Sequence, residues 1–256
     1  QSFAVLFPTI ITILCVSIIG YIASLFGMTL FDIISTIMKP VENIMTGLPG
    51  YCVIIMLMQL LWWFGIHGSN VLGAVTTPFM TKMMAQNLEL YQAGTDVTAS
   101  GVYYSSTSPY NLIASPFVSG WFNPSGAGIT IGLLVAIMLF SKRDDYKAIA
   151  KLAIPCGIFN INEPVIFGIP MVMNPLLGIP FFLAPLATVI LGYVVQSVGI
   201  CPLYVIDVPW TTPVGIFGFL ASGGNLWGAL WQIIIIVGVS TLVYTPFVIA
   251  SNREEA

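Results

Sequence analysis

The chain has 256 residues, 57% of them hydrophobic and only 7% charged, with a mean hydropathy of +0.97. A soluble domain carries about 25% charged and about 45–50% apolar residues, so this chain has too little polar surface to cover a soluble fold of its size. Cytosolic enzymes and nucleic-acid binders are thereby excluded, leaving an integral membrane protein with several spans. The net charge of −3 carries little weight, because basic groups in a membrane protein act by position rather than by sum.

A helix needs about 20 apolar residues to cross the hydrocarbon core. The first such stretch, 3–26, has no basic flank before it and no small-residue cleavage site after it, so it reads as a span rather than a signal peptide. The chain opens on Gln1 rather than Met, as a fragment or a processed product would. A short span is expected over 49–66, where Trp62 and Trp63 fit an interfacial aromatic belt. Next comes 64–80, "FGIHGSNVLGAVTTPFM", interrupted by Gly and Pro. The segment 81–124, with Lys82, Glu89, Gln92 and Asp96 and "NPSG" at its end, reads as an excursion outside the membrane. A further span is expected over 118–140.

Four of the seven basic residues fall in "SKRDDYKAIAK", namely Lys142, Arg143, Lys147 and Lys151. The positive-inside rule puts that loop in the cytoplasm, with the inner or plasma membrane as the location. Beyond it, 164–206 has no charged residue, yet six prolines punctuate it from Pro164 to Pro202. Prolines at that density break a helix repeatedly, so Pro164–Leu177 reads as a re-entrant or broken element and Phe181–Val198 as a clean span. The stretch 199–224 is again apolar but full of Gly and Pro, and 226–250 is a last span. Irregular backbone at membrane depth survives only when it is buried in protein or lines a polar cavity. The interrupted segments therefore point to a substrate site, as broken helices do in transporters. Cys15, Cys52, Cys156 and Cys201 stand singly in apolar surroundings, a pattern of small buried hydrophobes rather than of a metal or redox centre.

An ionisable group in a membrane segment costs roughly 2.5–3.5 kcal/mol on insertion scales and is a functional candidate by default. Glu163, flanked by Asn160, Asn162 and Pro164, is one; the plainer reading is a cytoplasmic turn in which it pairs with Lys147 or Lys151. His67, the only histidine, is another, with an interfacial residue donating to a backbone carbonyl as its alternative. Asp207 is the third, and an Asp before Pro209 is also a common turn or cap. Trp210, between Pro209 and Thr211, does not fit a belt, and an indole face is what a sugar ring stacks against. Asn162, Glu163, His67, Asn70 and Trp210 together offer a base, amides and an aromatic platform, the set a polyhydroxylated ligand requires.

These residues carry a resemblance. "GIFNINEPVIFGIPMVMNPLLGIPFFLAPL" (157–186), preceded by "YKAIAKLAIPCG" and followed by "DVPWTTPVGIFGFLASGG", together with "GIHGSNV" upstream, resembles enzyme IIC. This is the membrane component of bacterial phosphoenolpyruvate-dependent sugar phosphotransferase systems, and the lactose/cellobiose/diacetylchitobiose branch is the most similar. Enzyme IIC of that branch is roughly twice as long, and residues 1–256 resemble its C-terminal, substrate-binding half, without the N-terminal half and without a IIA or IIB domain. The resemblance implies an all-α membrane protein, polytopic, whose transmembrane helices, re-entrant hairpins and broken helices form a sugar-transport domain.

It further implies that Glu163 and His67 bond the hydroxyls of a β-linked disaccharide of cellobiose, diacetylchitobiose or lactose type, with Asn162 alongside and Trp210 in the same cavity; Asn70 and Asp207 complete the substrate-binding candidates on the residue argument above. Glu163 is then the base for the primary hydroxyl and His67 its helper. The phosphoryl donor is a phosphocysteine on enzyme IIB, docking on the cytoplasmic side. A homodimer in the bacterial inner membrane is expected, with no cofactor, no metal and no nucleic acid. Two readings compete: a proton-coupled secondary sugar transporter with Glu163 as proton carrier, and a fragment inactive on its own.

Overall fold

The computed structural model describes residues 2–29, 47–98 and 101–252, and it falls into two units, 1–44 and 45–256. In the first, α1 (Ser2–Leu25) is one helix with no charged residue in either end turn. It is apolar on every face, the pattern of a helix surrounded by nonpolar material.

The second unit is mainly helical, with a short hairpin and irregular segments between the helices. It runs α2 (Leu48–Trp63), α3 (Gly68–Gln92), strands β1 (Val97–Thr98) and β2 (Gly101–Val102), α4 (Ser115–Trp121), α5 (Thr130–Phe140), α6 (Asp144–Ile158), α7 (Glu163–Gly168), α8 (Pro175–Ser197), α9 (Ile216–Ala221), α10 (Leu226–Ile233) and α11 (Ser240–Ser251). The two strands pair antiparallel, Val97 opposite Val102. A π-helical turn, Ile234–Val239, joins α10 to α11, making one 26-residue rod, Leu226–Ser251. That rod and α8 are, among the described residues, the two helices long and apolar enough to span a membrane.

Packing within this unit follows small residues. On α5, Gly132 lies against Ser240 of α11; on α8, Gly192 lies against the Trp121 ring of α4 and Gly178 against Trp63 of α2. Any Cβ at these glycines would overlap its neighbour, so the close approach needs glycine, as it commonly does between membrane helices. Buried polar side chains then lock segments together. Gln232, fully buried, accepts from the Gly215 and Gly218 amides at 2.8 Å and donates to the Gly120 carbonyl at 3.1 Å. Thr188 donates to the Trp121 carbonyl at 2.9 Å, and the Tyr244 hydroxyl donates to the Gly128 carbonyl at 2.7 Å. Left unpaired in such surroundings, each group would cost about 1–3 kcal/mol.

Several elements differ from the sequence reading. The span expected over 118–140 is broken at residues 122–129 into α4 and α5, because Ser125, Gly126, Gly128 and Ile129 all take left-handed backbone, φ between +51° and +83°. From Gly68 onward, the interrupted segment 64–80 and the start of the polar segment 81–124 are one helix, α3, which runs through Pro78 to Gln92. Helix α8 begins six residues before the expected Phe181, where the Asn174 side chain caps the Leu176 and Leu177 amides at 2.9 and 3.1 Å. The basic stretch is not all loop either: from Asp144 it is the first turns of α6. There Arg143 bonds Asp145, Nη2 to Oδ2 at 2.7 Å, and holds its carboxyl below the ordinary value of 3.8. Pro164–Leu177 and 199–224 hold only the short α7, the start of α8 and the short α9, as proline and glycine content suggests.

Candidate functional site

Four separated stretches of the second unit meet around a cavity of about 660 Å³, within the ~300–1,000 Å³ usual for small-molecule sites. Trp62, His67, Ser69 and Asn70 come from the junction of α2 and α3, and Asn123, Gly126 and Ala127 from the turn between α4 and α5. Asn160 to Pro164 come from the end of α6 and the start of α7, and Trp210 from the irregular segment before α9. The wall carries two titratable side chains, His67 and Glu163, with amides, a hydroxyl and two indoles, and the apolar Ala127, Ile161 and Pro164 between them.

Each of these stretches is shaped by a local feature. Gly68 lies directly against the Met58 backbone of α2, so the chain turns tightly between the two helices. His67 occupies the N-cap of α3, where its Nδ1 accepts from the Asn70 amide at 3.2 Å. A neutral imidazole that accepts at Nδ1 carries its proton on Nε2, so His67 offers the cavity a hydrogen-bond donor. Its ring lies 4.2 Å from the Trp62 ring, centroid to centroid. The sequence alternative, donation from His67 to a backbone carbonyl, is not the bond found. Asn162 is 3% exposed, and its Nδ2 donates to the Ala127 carbonyl at 2.8 Å. Its side chain fills the space a Cβ on Gly126 would need.

Glu163 opens α7, with Pro164 at the start of that helix. A carboxylate in a first helical turn faces the positive end of the peptide dipoles. Among the described residues no ion pair joins it to Lys147 or Lys151, so the solvated-turn alternative lacks its expected partner. Trp210 is 54% exposed, a ring open to the cavity rather than packed into the protein.

Of the six residues singled out from sequence, Asn70, His67, Asn162, Glu163 and Trp210 line this one cavity, and Asp207 does not: it is exposed and outside the lining. Trp62 is the residue that sequence reasoning assigned elsewhere, to an aromatic belt. Its position five residues before the single histidine, across a Gly-containing turn, was the available signal. The turn 123–127 reads from sequence as the end of an excursion, although its Asn-Pro-Ser-Gly-Ala composition predicts a tight turn. Among the described residues no three His, Cys, Asp or Glu side chains come together as a metal site would require.

A helical membrane protein with a polar, indole-walled cavity of solute size is the class that fold and site define. The family model described as "Phosphotransferase system, EIIC" matches residues 1–185, and the chain belongs to that family. It is 31% identical to the oligo-beta-mannoside-specific EIIC component of Bacillus subtilis (strain 168), over 99% of this chain and 55% of the relative. It is 34% identical to the cellobiose-specific EIIC component of Lactococcus lactis subsp. lactis (strain IL1403), over 100% of this chain and 54% of the relative. The crystal structure of the transporter ChbC, the IIC component of the N,N'-diacetylchitobiose-specific phosphotransferase system, superposes with a TM-score of 0.79 at 33% identity. That superposition covers 99% of this chain and 56% of ChbC. The chain thus spans about half the length of the curated relatives it matches.

Proposed function

We propose that residues 1–256 form the substrate-binding half of the sugar-translocating EIIC permease of a bacterial phosphotransferase system, and that the cavity holds a β-linked disaccharide of cellobiose, diacetylchitobiose or lactose type. The observation that carries the reading is the convergence, in a chain of this family, of one carboxylate, one imidazole, several amides and two indoles on a single cavity. Indole faces suit the apolar faces of sugar rings, and fixed amides and a carboxylate suit their hydroxyls. His67 Nε2–H donates to a sugar oxygen, Asn162 and Asn70 bond neighbouring hydroxyls, and Trp210 is the platform.

Glu163 accepts the proton of the primary hydroxyl as that oxygen attacks the phosphorus of a phosphocysteine on enzyme IIB. The S–P bond breaks, the thiolate leaves, and the sugar departs as its phosphate ester. Phosphoryl transfer needs positioning and charge handling more than covalent help, so one well-placed base is a sufficient contribution from this side. The IIB partner docks on the cytoplasmic face that carries Lys142, Arg143, Lys147 and Lys151, in a permease acting as a homodimer in the inner membrane.

The test is a panel of labelled β-disaccharides on the membrane protein, with phosphorylation by phospho-IIB followed in parallel. Glu163→Gln should retain sugar binding to within about tenfold and lose phosphorylation by about 10²–10⁴. Phosphorylation at the normal rate by this variant would exclude Glu163 as the base. Uptake that persists without IIB and collapses with an uncoupler would mark a proton-coupled carrier instead.

A further inference from the structure

The exposed ring of Trp210 raises the question of what holds it in place. No aromatic neighbour stacks on it among the described ring pairs, and its segment, "DVPWTTPV", has no helix or strand. A single turn closes there, the Thr212 amide donating to the Pro209 carbonyl at 2.9 Å. What reaches this turn from elsewhere is Asn160, 5% exposed. Its Nδ2 donates to the Trp210 carbonyl at 2.5 Å and to the Thr212 carbonyl at 3.0 Å, while its Oδ1 accepts from the Ser125 amide at 2.6 Å. One buried amide thus ties three cavity-forming stretches, 35 and 50 residues apart in sequence. Asn160 itself has φ +68°, a conformation that Asn tolerates better than most residues.

We infer that Asn160 is the positioning residue of the cavity: by gripping two carbonyls of one turn it sets where the Trp210 indole stands over the ligand. This role rests on the sugar-site reading above. It requires an amide in particular, since the side chain must accept at one end and donate twice at the other. Asp keeps the size, the left-handed backbone and the acceptor for Ser125, but turns a carboxylate toward two carbonyl oxygens. Asn160→Asp therefore severs the Trp210 side of the tie while sparing the Ser125 side.

The test uses protein labelled with 5-fluorotryptophan, in which the Trp210 fluorine resonance is identified by its loss in Trp210→Phe. In Asn160→Asp that resonance should shift or broaden while those of buried Trp62 and Trp121 stay in place; an unchanged Trp210 resonance overturns the proposal without reference to any sugar. Cellobiose and diacetylchitobiose affinities then close a double-mutant cycle with Trp210→Ala. Asn160→Asp should weaken binding about tenfold when Trp210 is present and less than about twofold when it is absent. Equal losses in both backgrounds, or no loss in either, overturn the positioning role. Should Asn160→Asp fail to fold, Asn160→Gly serves: it keeps the left-handed backbone, lacks both arms of the tie and should give the same dependence on Trp210. Failure of the unaltered protein to bind any β-disaccharide, with the resonance still responding, overturns the sugar-site reading instead.

Discussion

The proposed reading gives His67 two purposes, one for each nitrogen. Nδ1 caps α3, Nε2 would donate to the sugar, and these separate experimentally. His67→Ser keeps a capping oxygen and removes the Nε2 donor; it should bind disaccharide up to about tenfold more weakly with an unchanged thermal midpoint, the loss of one hydrogen bond. His67→Ala removes the cap as well and should lower stability by about a further 1 kcal/mol. Binding isotherms and thermal unfolding of the two variants distinguish the roles. At this scale the sequence was informative because charge is scarce: Glu163 and His67 stand out in an apolar chain, and both line the cavity. Trp62 was not legible from residue type alone, since an indole at the end of a span looks the same whether it faces lipid headgroups or a cavity; only its spacing to His67 distinguishes it. Nor did composition separate Asp207, a turn residue outside the cavity, from Glu163 within it.

At the scale of elements, the cavity is made where helices stop. The turn 122–129 breaks what reads as one apolar span, and its left-handed residues bring Gly126 against Asn162. Gly126→Ala should displace the Asn162 amide and weaken disaccharide binding at least about tenfold. Gly94 is the matched control: it has nearly the same φ, +74° against +73°, with open space where a Cβ would stand. Gly94→Ala should incur the same backbone cost, about 1–2 kcal/mol, and leave binding unchanged; equal binding by the two variants would show that the Asn162 contact is immaterial. The break was hidden because hydropathy averages over a window, and four residues of unusual φ leave hardly any trace in it. The opposite error has the same origin. Helix α3 continues past Pro78 into polar residues and α6 begins within a basic stretch, because backbone hydrogen bonding, unlike hydropathy, does not stop where polarity changes.

For the molecule as a whole, the cavity depends on stretches from residue 62 to residue 210 being correctly placed at once. A ligand that bridges them binds the folded protein and not the unfolded chain. Disaccharide at about 100 times its dissociation constant should then raise stability by about 2.7 kcal/mol, read as an upward shift of the thermal midpoint. A non-binding sugar should produce no shift. The long rod of α10 and α11 holds the turn between α4 and α5, with Gln232 fixed to Gly120 before the π-helical turn and Tyr244 fixed to Gly128 after it. A wider turn takes up one more residue between those anchors than plain α-helix would. The surplus gives the rod slack in chain length. One residue lost at Gly238, beside which nothing lies within 4 Å, would let the turn tighten to α and leave both anchors facing as they do. The same loss inside Ser240–Thr245 would swing Tyr244 about 100° off its carbonyl. Within this rod, a one-residue deletion is therefore expected to be borne at the π-helical turn and not in α11, a constraint on deletions that no catalogue of tolerated substitutions would reveal.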